Sequence, residues 1–140
     1  MKKIMISSLL TFMVMTGFAQ EKQEPFNGYF WNDEYKVYLK INLHENNIDV
    51  PNHELFGKLP GYLGKQYNNF YWLITDGKLT GKHKAEISLI NDYGSEDLKA
   101  TLTIKNDSIL ELKQGKGSTI KVANKGKWMK LPNEIEFKRK

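Results

Sequence analysis

Apolar and polar side chains alternate with a period of two along most of this chain, a spacing that builds strands with one buried face and leaves no stripe for an amphipathic helix. In Tyr35-Lys36-Val37-Tyr38-Leu39-Lys40-Ile41-Asn42-Leu43, the residues Tyr35, Val37, Leu39, Ile41 and Leu43 fall on one face and Lys36, Lys40 and Asn42 on the other. Leu98, Ala100, Leu102 and Ile104 repeat the pattern against Lys99, Thr101, Thr103 and Lys105; Ala85, Ile87 and Leu89 do so against Glu86 and Ser88. Beyond residue 19, no window of eleven or more residues carries the i, i+3, i+4, i+7 spacing of a helix. At most one short helix is expected.

Turn-forming residues punctuate these runs: Asn32-Asp33, Glu45-Asn46-Asn47, Asp76-Gly77, Asn91 to Gly94, Asn106-Asp107, Gly115 to Gly117, Asn124 to Gly126 and Pro132-Asn133. Asparagine, aspartate and glycine tolerate the left-handed backbone of tight hairpins. The spacing predicts strands near 26 to 31, 35 to 43, 47 to 50, 54 to 59, 69 to 75, 84 to 90, 98 to 105, 108 to 114, 118 to 123, 127 to 131 and 134 to 138. Eight to ten of these are expected in the fold. Short links favour an antiparallel meander, and so many strands in one small domain must curl and close to remove their edges. The expected fold is therefore all-β, an antiparallel up-and-down β-barrel of about 8–10 strands, with a two-sheet β-sandwich as the alternative.

The N-terminus reads as an address. Lys2 and Lys3 precede a mainly apolar run from Ile4 to Phe18, and Gly17-Phe18-Ala19 offers small residues at a cleavage site. These are the parts of a secretory signal peptide, and the run is short of the roughly 20 residues that span a bilayer. Residues 1–19 are expected to be the signal peptide and 20–140 a single β-barrel domain, periplasmic or secreted, with no stable membrane anchor. Gln20, not cysteine, follows the cut, so the chain is not expected to be a lipoprotein. With no cysteine at all, no disulfide, thiolate metal site or cysteine nucleophile is available.

Charge is unevenly spread. Residues 20 to 98 hold eight lysines against twelve acids, whereas residues 99 to 140 hold eleven basic residues against four acids. Arg139 is the only arginine, so the planar fork suited to phosphate is nearly absent and nucleic acid is not an expected partner.

The hexapeptide Phe26-Asn27-Gly28-Tyr29-Phe30-Trp31 resembles the glycine-and-tryptophan opening of calycin-like barrels, the lipocalin and fatty-acid-binding class. Their motif has one residue between glycine and tryptophan and this chain has two. The basic partner near the last strand falls among Lys138, Arg139 and Lys140. The resemblance implies a small exported barrel and, as a possible task, carriage of an apolar ligand.

A catalytic set is hard to find. His44, His53 and His83 lack metal-ligand spacing and sit beside predicted turns. There is no Gly-x-Ser-x-Gly elbow and no phosphate-cradling glycine loop. Asp92-Tyr93-Gly94-Ser95-Glu96-Asp97 could offer carboxylates to Ca²⁺, but it lacks the alternate-position spacing and reads better as a hydrophilic hairpin link. The chain is accordingly expected to be no enzyme and to hold neither metal nor cofactor.

Two features suggest binding. Pro60 to Trp72 carries five aromatics in thirteen residues, with a Gly/Asn-rich first half that reads as a loop. Tyr62, Tyr67 and Tyr71 are candidates to face a partner there. Lys113, Lys116, Lys121, Lys125, Lys127 and Lys130 run through two predicted hairpins with no acid between Glu111 and Glu134. Lys116, Lys121, Lys125 and Lys127 are the candidates on that rim, which would also protect a strand edge. The expected function is a non-enzymatic binding protein of the bacterial cell envelope, of inhibitor or immunity type, with a protein partner. The alternative is a lipocalin-like carrier of a small apolar ligand. A carrier would turn Trp31, Trp72 and Tyr35 into an open cavity; a capping protein would fill its barrel and expose Tyr62 and Tyr67.

Overall fold

A computed structural model of the chain describes residues 24–140, so the expected leader lies outside the described residues. Ten strands follow in order: β1 (Asn27–Asn32), β2 (Val37–Asn42), β3 (Gly61–Lys65), β4 (Trp72–Leu79), β5 (Lys84–Asn91), β6 (Asp97–Asn106), β7 (Ile109–Gly117), β8 (Lys121–Asn124), β9 (Lys127–Lys130) and β10 (Glu134–Arg139). Eight close into a barrel in the order β1-β10-β7-β6-β5-β4-β3-β2, while β8 and β9 pair only with each other. Every pairing is antiparallel. The molecule is therefore an up-and-down barrel whose meander is interrupted once, between β7 and β10, by a separate hairpin. A sandwich is ruled out by the closure of β1 on β10, where Phe30 faces Arg139 and Trp31 faces Lys138.

The period-two pattern maps onto this wall. Val37, Leu39 and Ile41 of β2, Ala85, Ile87 and Leu89 of β5, and Leu98, Ala100 and Leu102 of β6 all point into one cluster, with exposures of 0–3 %. A water-sized void would leave accessible area on the side chains around it, so the interior is filled by side chains. Phe26 and Leu43 join that cluster from the end that carries the N-terminus, and Ile120, Val122 and Leu131 from around the β8–β9 hairpin at the other. Gln114, on β7, is one of the few buried polar residues. Its Nε2 donates to Leu131 O (3.4 Å) and Pro132 O (3.0 Å), and its Oε1 accepts from the Ile120 N–H (2.7 Å). One side chain thus clamps the chain on both sides of the hairpin across the barrel mouth.

The seam between first and last strands has its own contact. The Arg139 guanidinium lies 4.7 Å from the centroid of the Phe30 ring and donates from Nη1 to Asn27 O (2.9 Å). Phe30 points inward at 2 % exposure. A Cβ at Gly28 would stand 2.6 Å from Arg139 Nη1, a flexible side-chain end that can shift, so it is the backbone at φ 153° that favours glycine here.

Several expectations need correction, among them the turns read at Asp76-Gly77 and Gly115 to Gly117, which lie inside β4, at a register shift, and inside β7. Residues 47 to 50 and 54 to 59 do not form strands: a single bridge joins Ile48 to Leu59, and a 3-10 turn occupies Glu54–Phe56. Pro51 brings no N–H to a ladder, and Asn52 (φ 62°) and Gly57 (φ 70°) turn left-handed, so no extended run survives. Conversely, the Gly-rich first half of the 60–72 segment is not a loop but contains β3. Its glycines mark close approach: a Cβ at Gly61 would run into Lys40 O and a Cβ at Gly64 would meet Tyr38 Oη at 2.6 Å.

The connection from β2 to β3 crosses the outside of the wall as a strap. Under it, Val50 packs with Tyr62, Tyr71 and Leu73, flanked by Tyr38, Ile48, Leu59 and Ile90, in a second cluster distinct from the interior.

Candidate functional site

Strand direction assigns the connections to two ends. The β1–β2 turn, the β3–β4 link, the β5–β6 turn and the β8–β9 hairpin all lie at one end, called here the hairpin end. There, Phe70 of the β3–β4 link, Tyr93 of the β5–β6 turn and Trp128 of β9 converge. The Phe70 ring is 4.9 Å from Trp128 and 5.5 Å from Tyr93, centroid to centroid. Trp128 remains 54 % and Tyr93 75 % exposed. Parity puts Trp128 outside: Val122 and Met129 are cross-strand partners facing the core, which leaves the neighbouring pair Ala123 and Trp128 on the outer face.

These rings help to line a cleft of about 180 Å³, together with Trp72, Asn91, Ser95, Glu96 and Lys121. Trp72 Nε1 donates to Lys121 O (2.9 Å), so the indole turns only its carbon surface to the cleft. Asn91 is committed to the turn itself. Its Oδ1 accepts from the N–H groups of Ser95 (2.9 Å) and Glu96 (3.2 Å), and its Nδ2 donates to Ser95 Oγ (3.1 Å). Glu96 and Lys121 face each other at 3.2 Å, each about one-third exposed. The two charges cancel, and both side chains line the cleft.

The candidate residues scatter around this centre. Tyr67 presents its ring fully to solvent, at 96 % exposure, with its backbone left-handed at φ 61°. Tyr62 and Tyr71 are buried beneath the strap, stacked edge to face 5.2 Å apart. Burial raises the Tyr38 and Tyr62 hydroxyls above their ordinary pKa, so both stay neutral. Lys125 and Lys127 sit at the exposed hairpin tip, where Lys125 (φ 54°) and Gly126 (φ 81°) supply the two left-handed positions of a type I′ turn. Lys116 lies elsewhere, on a surface lined also by Thr75, Ser88 and Lys99 that runs from β4 to β7. The lysine rim is partly answered by acids: Lys121 by Glu96, and Lys113 by Glu134 at 3.7 Å.

Phe70, Tyr93, Glu96 and Trp128 were not candidates by sequence. Tyr93 and Glu96 sit in the turn weighed for Ca²⁺ ligands, and Phe70 in the segment expected as a strand near 69 to 75. The parity of Val122 and Met129 is the signal that places Trp128 on the outer face.

The acidic turn uses its carboxylates separately. Glu96 turns to Lys121, while Asp92 turns to the strap, where its Oδ1 meets His53 Nε2 and its Oδ2 accepts from the Tyr71 N–H (3.3 Å). His53 Nδ1 lies 2.7 Å from Pro51 O, so both ring nitrogens face oxygen acceptors, the arrangement of an imidazolium. Burial works against that charge, but the bonds to Pro51 and Asp92 outweigh it and hold the His53 pKa above its ordinary value. Among the described residues, no group of three or more His, Asp or Glu side chains is placed to hold a metal ion. No helix among them is long and apolar enough to cross a membrane. No protein-family model, curated protein or solved structure matches the chain, so the use of this end of the barrel rests on its own geometry.

Proposed function

We propose that this is an exported, non-enzymatic binding protein of the bacterial cell envelope that caps another protein, as an inhibitor or immunity protein does. The observation that carries this reading is the contrast between a barrel filled with side chains and an outer surface that keeps Tyr67, Lys125 and Lys127 in water at the hairpin end. A left-handed, non-glycine residue costs about 1–2 kcal/mol, and an exposed tyrosine returns none of it through packing in the folded chain. Such a residue suits an anchor for a partner, with lysines beside it to speed encounter with an acidic face.

The finer likeness to lipocalin-like barrels draws support from the seam. Phe30 is separated from Gly28 by one residue, the spacing of glycine and tryptophan in the calycin opening, and carries the basic residue of the last strand, Arg139, over its ring. Carriage of an apolar ligand inside the barrel finds less support, because Trp72 is buried in packed surroundings and Trp31 is half-buried on the outer face.

Native mass spectrometry of the protein recovered at low salt from its own host tests the reading. The expected result is a stoichiometric protein complex that dissociates when Tyr67→Ala is combined with Lys125→Glu and Lys127→Glu. Recovery of free protein alone, or of protein with a small apolar ligand, would remove it.

A further inference from the structure

The cleft between the β5–β6 turn and the β8–β9 hairpin has a composition that selects its occupant. Its lining combines aromatic carbon, from Phe70, Tyr93 and Trp128, with a carboxylate and an ammonium 3.2 Å apart that carry no net charge. At about 180 Å³ it falls below the roughly 300 Å³ at which pockets for drug-sized ligands begin, so it holds one ring. An aliphatic or aromatic group there would cover Glu96 and Lys121 and return no hydrogen bond, which leaves a desolvated ion pair. An ammonium would meet Lys121, and a carboxylate Glu96, at nearly the distance of its attraction to the other. A hydroxyl avoids both costs, since it donates to Glu96 and accepts from Lys121 while the pair stays neutral.

We propose that this cleft is a saccharide site, taking one neutral sugar ring with a C–H face on Trp128 and Tyr93 and adjacent hydroxyls between Glu96 and Lys121. The site is largely formed in advance. Asn91 fixes the turn that carries Tyr93 and Glu96 through three side-chain hydrogen bonds. Trp72 ties the Lys121 backbone to the barrel wall. Little ordering is left for a ligand to impose, which favours measurable affinity in a shallow site. The proposal goes beyond protein capping and is independent of it, because capping is read on Tyr67, Lys125 and Lys127.

Saturation-transfer NMR of the purified protein with glucose, galactose and N-acetylglucosamine, one at a time, is the test. At least one sugar should show saturable transfer, strongest at the C–H protons of one ring face, with millimolar affinity. Trp128→Ala and, separately, Tyr93→Ala should each weaken that affinity at least tenfold, and Glu96→Ala should do so while leaving the amide spectrum of the barrel unchanged. The use of two aromatic variants keeps the test decisive should one perturb the hairpin. Absence of transfer to all three sugars overturns the proposal. So does transfer that survives all the substitutions, or saturable binding of phenylalaninamide or tetramethylammonium with none of a sugar.

Discussion

The molecule has two apolar clusters on opposite sides of the same wall, and they are built differently. The interior cluster is aliphatic in the main, with Phe26, Phe30, Trp72 and Phe137 as its large members and Gln114 as a clamp at one mouth. The outer cluster is small and rich in tyrosine, and it is covered only by the strap between β2 and β3. The Ile48–Leu59 bridge closes that strap on itself, and a polar contact of His53 with Asp92 ties it to the β5–β6 turn. Interior contacts join strands from all around the barrel, so losing one weakens the whole; outer contacts join one connection to four neighbouring strands, β2 to β5, so they can open locally.

The largest expected effect is in the interior. Leu102→Ala removes a side chain with 0 % exposure and should lower global stability by about 2–5 kcal/mol in chemical denaturation. Leu73→Ala, equally buried but facing the strap, should fall at or below the low end of that range, because the strap can settle onto the gap. Equal losses at the two positions would erase the distinction between the clusters.

Gly61→Ala tests the wall that the clusters share. The new methyl would collide with Lys40 O in the β2–β3 pairing, at a cost of about 1–3 kcal/mol, with loss of amide protection along β3. A neutral outcome would mean that the close approach of these strands is not required.

Gln114→Met keeps volume but leaves the Ile120 N–H and the Pro132 carbonyl without their partner, at about 1–3 kcal/mol. Amide exchange should quicken at Ile120 and through β8 and β9 more than in β5 and β6. Uniform change across the barrel would contradict the role of this side chain as a clamp.

The smallest effect separates the clusters by pH. Because the His53 pKa is raised on folding, its contribution to strap docking is complete below the ordinary histidine pKa and fades as pH rises through the raised value. Above that value a neutral ring can donate to only one of Pro51 O and Asp92. Exchange at the Tyr71 N–H, corrected for its intrinsic pH dependence, should then accelerate while Leu102 is unaffected. His53→Gln should abolish the pH step.

The two clusters were not equally legible. Strands β2, β5 and β6 follow from alternation, because each buries one face and the pleat repeats every second residue. The strap and β3 were exchanged: apolar residues at Ile48, Val50 and Leu59 read as strand, while Gly61 and Gly64 read as loop. Both errors have one cause. The outer cluster depends on which residues oppose one another across the wall, and a glycine required by Lys40 and Tyr38 looks in isolation like a glycine required by a turn.

The candidate site shows the same limit. Tyr67, Lys125 and Lys127 could be picked out locally, since turn chemistry and residue type set their exposure. The cleft could not, because Phe70, Tyr93, Glu96, Lys121 and Trp128 come from separate connections that meet only when an antiparallel wall brings alternate turns to one end. Local physics, acting through the period of the pleat and the preferences of turn residues, was enough to specify an all-β chain of antiparallel strands; the pairing of β1 with β10 decided that it closes as a barrel and not as a sandwich. Which turns share an end, which tyrosines the strap covers and which charges cancel depend on contacts between residues tens of positions apart, and closure of the barrel decides those.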